Sequence, residues 1–198
     1  MTGQNSVFKT IKRKTYSAKE FFEFSKDKKD KKERYELIGG KIYLMASPST
    51  EHQNILGEIY GELRNYLKGK QCRPFMAPLD VILFEKNKKN ECRNVFQPDV
   101  FAVCDLKKID KNKINGAPDF VVEIVSPSNP ENDYYYKLDA YMKYGVKEYW
   151  IVNPETKQIS VYIRQKSKEV KLYTRTFEDR IESSVFEDFA IDFKELNL

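Results

Sequence analysis

Two carboxylates in this sequence stand among apolar neighbours. Glu123 interrupts Phe120-Val121-Val122-Glu123-Ile124-Val125, and Asp99 interrupts Phe96-Gln97-Pro98-Asp99-Val100-Phe101-Ala102-Val103. Apolar runs of this kind mark strands buried on both faces. A carboxylate placed there loses hydration, at a cost of roughly several kcal/mol unless a partner satisfies it. For either acid taken singly, a structural ion pair is as good a partner as a metal ion. Two acids on successive strands say more. If those strands are neighbours, the carboxylates converge and repel, and a cation relieves them. Oxygen-rich sites of this sort suit Mg²⁺ or Mn²⁺ rather than zinc.

Other chemistries fail for want of residues. His52 is the one histidine in 198 residues, so a His-rich metal site is excluded, and a Ser-His-Asp triad would need it without any GxSxG motif. Neither GxxxxGK[ST] nor GxGxxG occurs. Apolar residues make up 40% of the chain and charged residues 33%, which allows one well-filled core under a densely charged surface. The net charge of +5 has the sign a nucleic-acid partner favours, although lysine-rich proteomes give basic proteins of every function. No run of 18 apolar residues predicts a membrane span, and the first residues lack the apolar stretch of a secretory signal. Cys72, Cys92 and Cys104 are odd in number and match no zinc spacing, so reduced thiols in a cytoplasmic protein are expected.

The elements that must position the two acids can be read in order. Ser17 and Glu20 form a capping box that opens a short helix carrying Phe21, Phe22 and Phe24. A charge run from Ser25 to Glu33 reads as a solvated loop or helix end. RYELI and KIYLM flank Gly39-Gly40 and predict a hairpin. Ser49 or Thr50 caps a helix whose stripe runs Ile55, Leu56, Ile59, Tyr60, Leu63, Tyr66 and Leu67, with Gly69 as its stop. Strands are expected over Phe75 to Phe84, Val95 to Asp105 and Asp119 to Ser126, with Pro127 and Pro130 ending the third. A helix from about Asp133 to Tyr144 follows, then EYWIV, QISVYIR, a strand near Val170 to Tyr173 and an amphipathic tail. Strand, helix, strand in one sheet predicts a right-handed crossover. The expected fold class is α/β, a mixed central sheet with helices on its faces.

Pro98-Asp99 followed by Glu123-Ile124-Val125 resembles the signature of PD-(D/E)xK nucleases, and the order helix, three strands, helix, strand resembles their core. More specifically, YELIGGKI, MASPSTEHQ, QPDV, PDFVVEIVSPS and DYYYKLDAYMKYGVKEYWIV resemble the Uma-two family, described as putative restriction endonucleases. A second Pro-Asp, at Pro118-Asp119, shows how common that dipeptide is; the ordered set of longer pieces carries the resemblance. It implies a restriction-endonuclease-like core with an N-terminal β-hairpin extension, residues 17–198 as a single domain and residues 1–16 as a flexible N-terminus. It implies Mg²⁺ or Mn²⁺ held by Asp99 and Glu123, and hydrolysis of a phosphodiester of DNA.

The same resemblance extends to Lys137, Glu36 and His52, and the other candidates are read from the residues themselves. Residues two apart on a strand face the same way, so the usual catalytic lysine would stand at position 125, where this chain has Val125. Lys137, early in the following helix, is the substitute; the alternative is a surface pair with Asp133 at i,i+4. Glu36 is a third ligand or a water-positioning group, or else an exposed residue opposite Tyr43. His52 faces the scissile phosphate or supports a residue that holds the metal, or is a hydrogen-bonded core histidine. Gln97 shares a strand face with Asp99. Asp80 belongs either to a sheet edge or to the site, Glu58 is solvated, and Cys104 is a core thiol. Tyr134, Tyr135 and Tyr136 stack on bases or serve packing. Lysines from Lys86 to Lys89 and Lys107 to Lys113 are candidate phosphate contacts. A homodimer would match two-fold duplex symmetry. The alternatives are a non-catalytic interaction protein that retains the fold, and a nuclease for RNA or branched DNA.

Overall fold

A computed structural model of the chain describes residues 15–27, 33–84, 92–126 and 130–198. In chain order its elements are α1 (Ala18–Asp27), β1 (Tyr35–Ile38), β2 (Lys41–Leu44), α2 (Thr50–Leu67), β3 (Arg73–Met76), β4 (Asp80–Leu83), β5 (Asn94–Phe96), β6 (Val100–Val103), β7 (Lys113–Asn115), β8 (Phe120–Ile124), α3 (Leu138–Tyr144), β9 (Glu148–Asn153), β10 (Gln158–Arg164), β11 (Val170–Thr176), β12 (Arg180–Glu182) and β13 (Ala190–Asp192). The local signals act as expected. Ser17 and Glu20 cap each other reciprocally (Ser17 N to Glu20 Oε2 2.9 Å, Glu20 N to Ser17 Oγ 3.3 Å). Ser49 Oγ accepts from His52 N at 3.1 Å to start α2. Gly39 and Gly40 take φ of 56° and 83°, the left-handed pair a tight hairpin turn requires. At Gly145, φ of 102° ends α3.

Two sheets form most of the molecule. One has the order β11-β10-β9-β8-β6-β3 and is mixed, with β8 parallel to β9 across the α3 crossover. The other has the order β2-β1-β5-β4-β7. The period-two alternation of the strands sorts their side chains into layers. Val100, Ala102, Phe120, Val122, Ile124, Trp150 and Val152 pack beneath α2 and the C-terminal segment. Phe101, Val103, Val121, Val125, Tyr149 and Ile151 point the other way, where they meet α3 and the inner face of the second sheet, Ile38, Val81, Leu83 and Phe96. The outer face of that second sheet, Leu37, Ile82 and Val95, is covered by Phe21 of α1.

The α/β class, the mixed sheet and the hairpin stand as expected, and the hairpin pairs onward through β1 with β5. Two expected strands divide, however. Phe75 to Phe84 becomes β3 and β4, and Val95 to Asp105 becomes β5 and β6, with each half in a different sheet. The breaks fall at Pro78 and Pro98, which have no N–H to give a ladder, and they lie side by side, Ala77 N donating to Asp99 O at 3.1 Å. β7 forms at the end of a lysine-rich stretch that carries no strand pattern of its own.

The expectation of three reduced thiols is also corrected. Register pairs Arg73 of β3 with Val103 of β6, so Cys72 and Cys104 stand opposite each other and are joined in a disulfide, Cα–Cα 4.0 Å. Cys92 is free and buried. No helix among the described residues is long and apolar enough to cross a membrane. The expected flexible N-terminus falls almost wholly outside the described residues. So do the centre of the Ser25 to Glu33 charge run, the Lys86 to Lys89 loop and Pro127.

Candidate active site

Glu123 has the parity of Val121 and Val125, so it points into the gap between the two sheets. Glu36 on β1 has the parity of Ile38 and enters the same gap from the other sheet. Asp99 is supplied by the Pro98 break, one residue before β6, and not from within a strand as expected. β6 and β8 are antiparallel neighbours, and their backbones hold the two acids together. Ile124 N donates to Asp99 Oδ2 at 2.8 Å and Asp99 N to Glu123 Oε2 at 3.4 Å. Gln97 N donates to Glu36 Oε1 at 2.8 Å, which ties β1 to the same break.

Lys137 closes the cluster. It ends a π-helical turn, Asn132–Lys137, that leads into α3, and its Nζ lies 3.0 Å from Glu123 Oε1, 3.2 Å from Glu36 Oε2 and 3.4 Å from Asp133 Oδ1. The i,i+4 pair with Asp133 therefore exists, but it is buried and not a surface pair. Glu36 does face Tyr43 across the hairpin, yet it is 4% exposed, so the reading of an exposed strand residue fails. His52 Nε2 is 3.2 Å from Asp99 Oδ2. Tyr141 is a core residue, and its hydroxyl donates to Glu123 Oε1 at 2.7 Å.

Even with His52 protonated, four carboxylates (Glu36, Asp99, Glu123 and Asp133) outnumber the two cations. Burial raises the Glu123 pKa well above the usual carboxylate range; Lys137 opposes this, and Asp99, Asp133 and Glu36 add to it. Burial likewise pushes Asp133 up to about 6 against the pull of Lys137, with Asp99 and Glu36 contributing. For Lys137, burial works downward, and the surrounding carboxylates, Glu123 first, overcome it and hold the ammonium charged. Burial also works against a charged His52, but its hydrogen bond to Asp99 raises its pKa.

This surplus of negative charge is what a divalent cation relieves. Among the described residues no three His, Cys, Asp or Glu side chains converge to enclose an ion. Asp99 and Glu123 offer a two-carboxylate donor set, which fits Mg²⁺: that ion keeps several waters and uses one or two carboxylates plus substrate oxygens. One oxygen of each acid is pinned, Oδ2 by Ile124 N and His52, Oε1 by Lys137 and Tyr141, so the other is held in a fixed direction. All five predicted site residues, Glu36, His52, Asp99, Glu123 and Lys137, line one cavity of about 410 Å³.

The other candidates stand apart. Asp80 lies on β4, an interior strand and not an edge, and accepts from Gln97 Nε2 at 2.9 Å. The stretch Lys107 to Lys113 runs into β7, at the opposite edge of its sheet from the hairpin, with the Lys108 amine donating to Ala117 O at 2.8 Å. Asp133 is the member that sequence reasoning left on the surface. Its signal was available: an acid and a lysine at i,i+4 after a strand that carries a buried glutamate.

A family model described as "Putative restriction endonuclease" (Uma2) matches residues 18–194. An uncharacterized protein, slr1290 of Synechocystis sp., is 25% identical over 163 residues, covering 81% of this chain and 83% of the relative. The crystal structure of a putative nuclease belonging to DUF820 from Anabaena variabilis superposes with a TM-score of 0.65 at 20% identity. It spans 82% of this chain and 88% of that one, and shares the fold.

Proposed function

Because the chain belongs to the Uma2 family of putative restriction endonucleases, we propose that it is a metal-dependent endonuclease that hydrolyses phosphodiester bonds of DNA. The observation that carries the reading is the Lys137 amine, 3.0 Å from Glu123 although it comes from a different element. It sets an ammonium beside the acid pair although Val125 leaves none on the strand itself.

Asp99 and Glu123 are the residues that would hold Mg²⁺ or Mn²⁺. A divalent cation bound there supplies Lewis-acid polarisation of a phosphoryl oxygen and a more acidic bound water. Lys137, held charged and aimed by Glu36, Glu123 and Asp133, orients the attacking water and offers a hydrogen bond to charge developing on the phosphorus oxygens. Glu36 and Asp133 position that ammonium. His52 buttresses Asp99. Tyr141 fixes the rotamer of Glu123 from the core side.

The test is cleavage of duplex, single-stranded and branched DNA, and of RNA, at low salt with Mn²⁺ and with EDTA. Cleavage in Mn²⁺, its absence in EDTA, and its loss in Asp99→Ala with nucleic-acid binding retained are the expected results. No cleavage of any substrate by protein shown calorimetrically to hold Mn²⁺ would replace this reading with the non-catalytic one. Cleavage of RNA or branched DNA in preference would correct the substrate.

A further inference from the structure

Among the described residues β11 ends the order of the six-stranded sheet. The other strands at the ends of the two large sheets are short: β2 and β3 have four residues and β7 has three, whereas β11 has seven. Folds blunt their edges with short strands, and a long edge is a template for another strand. The direction of its backbone groups follows from its pairing with β10. Gln165 N donates to Glu169 O at 2.8 Å and Phe177 N to Lys157 O at 3.1 Å, so the odd-numbered residues turn their N–H and C=O toward β10. Those of Val170, Leu172, Thr174 and Thr176 point away from it.

The side chains of these even-numbered residues lie on the α3 side of the sheet. Leu172 stands opposite Tyr162, and both line one groove with Tyr135, Leu138, Met142 and Val170. Tyr135, Leu172 and Val170 are 70%, 55% and 43% exposed. Large apolar side chains gathered in one open groove mark a contact surface. Part of the groove is the outer side of the π-helical turn that carries the buried Asp133 and Lys137. Charge then selects the occupant. In antiparallel pairing of β11 with a second β11 about a two-fold axis, the three registers of greatest overlap centre on Lys171, Leu172 and Tyr173. The first sets Lys171 against Lys171 and the third sets Lys171 against Arg175 twice, and like charges directly opposite are destabilising. The second sets Glu169 against Arg175 twice, Lys171 against Tyr173, Val170 against Thr174 and Leu172 against itself. Glu169 and Arg175 are exposed, and they meet in non-hydrogen-bonded pairs, where opposite side chains come closest. The edge is thus complementary to itself in one register.

We infer that a second copy of this chain adds to the β11 edge, with the two-fold axis at Leu172 and Glu169 of each copy paired with Arg175 of the other. The two six-stranded sheets then run on as one. The apolar groove, and with it the outer side of the turn that bears Lys137, lies at the interface. Nothing in this contact depends on the chemistry of the acid cluster, so it holds or fails apart from the nuclease reading.

Sedimentation equilibrium of the full chain tests it. The parent should be a dimer at micromolar concentration. Leu172→Glu sets two carboxylates against each other on the axis and should weaken association by about 100-fold or more. Glu169→Arg alone and Arg175→Glu alone each put like charges opposite at both pairs and should weaken it about 10-fold. The double exchange, Glu169→Arg with Arg175→Glu, should return association to within a few-fold of the parent. A monomer at every concentration overturns the inference, whether the edge stays bare or is covered by the chain's own residues. A dimer indifferent to Leu172→Glu also overturns it, because that dimer forms on another face. So does a double exchange that associates no better than the single ones, which excludes this register. Should a charge variant fail to fold, hydrogen exchange in the parent needs no substitution. The Leu172 amide should be protected in the dimer and exchange freely on dilution, and an amide that exchanges freely at every concentration overturns the contact.

Discussion

Glu123 and Glu148 are both buried glutamates on neighbouring strands of one sheet, and their surroundings are opposite. Glu148 is wholly buried and is met by neutral donors: Trp150 Nε1 at 2.6 Å on Oε1, and Ser183 Oγ at 3.2 Å and Ser184 N at 2.6 Å on Oε2. Those bonds tie the start of β9 to the segment after β12. Glu123 faces one shared ammonium and three further acids at the edge of a cavity. Asp119, of the second Pro-Asp, sides with Glu148: it accepts from Cys104 N at 2.8 Å and pairs with Lys147 at 2.7 Å. A buried acid is therefore no sign of chemistry by itself. The sign is an acid whose charge the fold leaves undercompensated beside open space.

The contrast can be broken at either side, and the largest effect is expected in catalysis. Asp99→Ala should lower the rate of nucleic-acid cleavage per folded molecule by on the order of 10²–10³-fold or more, since it removes a group acting on transition-state charge, and should lower the thermal midpoint as well by leaving Ile124 N without its acceptor. A cleavage rate within a few-fold of the parent would place Asp99 with the structural acids. Lys137→Met comes next. It strands Glu36, Glu123 and Asp133 without their ammonium and should cost about 3–5 kcal/mol of stability in urea unfolding, as well as activity. A neutral outcome would mean that the acids are protonated and the cluster is not charged as described.

Glu148→Ala should destabilise by roughly 2–3 kcal/mol by leaving buried donors unpaired, yet keep the parental cleavage rate per folded molecule. Lost activity in protein that is still folded would erase the distinction between the two glutamates. The smallest effect has the opposite sign. The Asp133 pKa is raised to about 6 in the fold, so the native state binds more protons than the unfolded one between about pH 4 and 6, and the ionised form is disfavoured. The carboxyl contributes stability below that window and loses it as pH rises through 6. Asp133→Asn should raise the thermal midpoint slightly at pH 7 and leave it unchanged near pH 4, at some cost in activity. A lower midpoint at pH 7 would show that the pair with Lys137 outweighs the repulsion.

Much of this was legible in the sequence for specific reasons. Alternation placed Glu123 and Val125 on one strand face, and Val125 is indeed a core residue there. Helical spacing gave α2 its stripe, and the adjacency of β6 and β8 brought Asp99 to Glu123. What was not legible depended on partners distant in the chain. Phe75 to Phe84 reads as one apolar strand; that its halves join different sheets is set by β6 and β5, against which they pair. Glu36 reads either as a site residue or as surface because a hairpin has two faces, and only the second sheet's packing decides which is buried. Glu123 and Glu148 look alike in sequence because Ser183 and Ser184, the partners that quiet one of them, lie some 35 residues downstream.

The paired breaks at Pro78 and Pro98 have a consequence for when the site comes into being. Glu36 belongs to one sheet, Glu123 to the other, Asp99 to the seam between them and Lys137 to the turn beyond. The contacts are long in sequence, and such contacts form only after the loops between them have closed. A chain on the ribosome that has emerged only as far as β8 has its acids but not the ammonium that binds them together. Until both sheets dock, the acids stand apart in solvent. The buried cluster is then a property of the finished fold alone, and no partly folded chain carries it assembled.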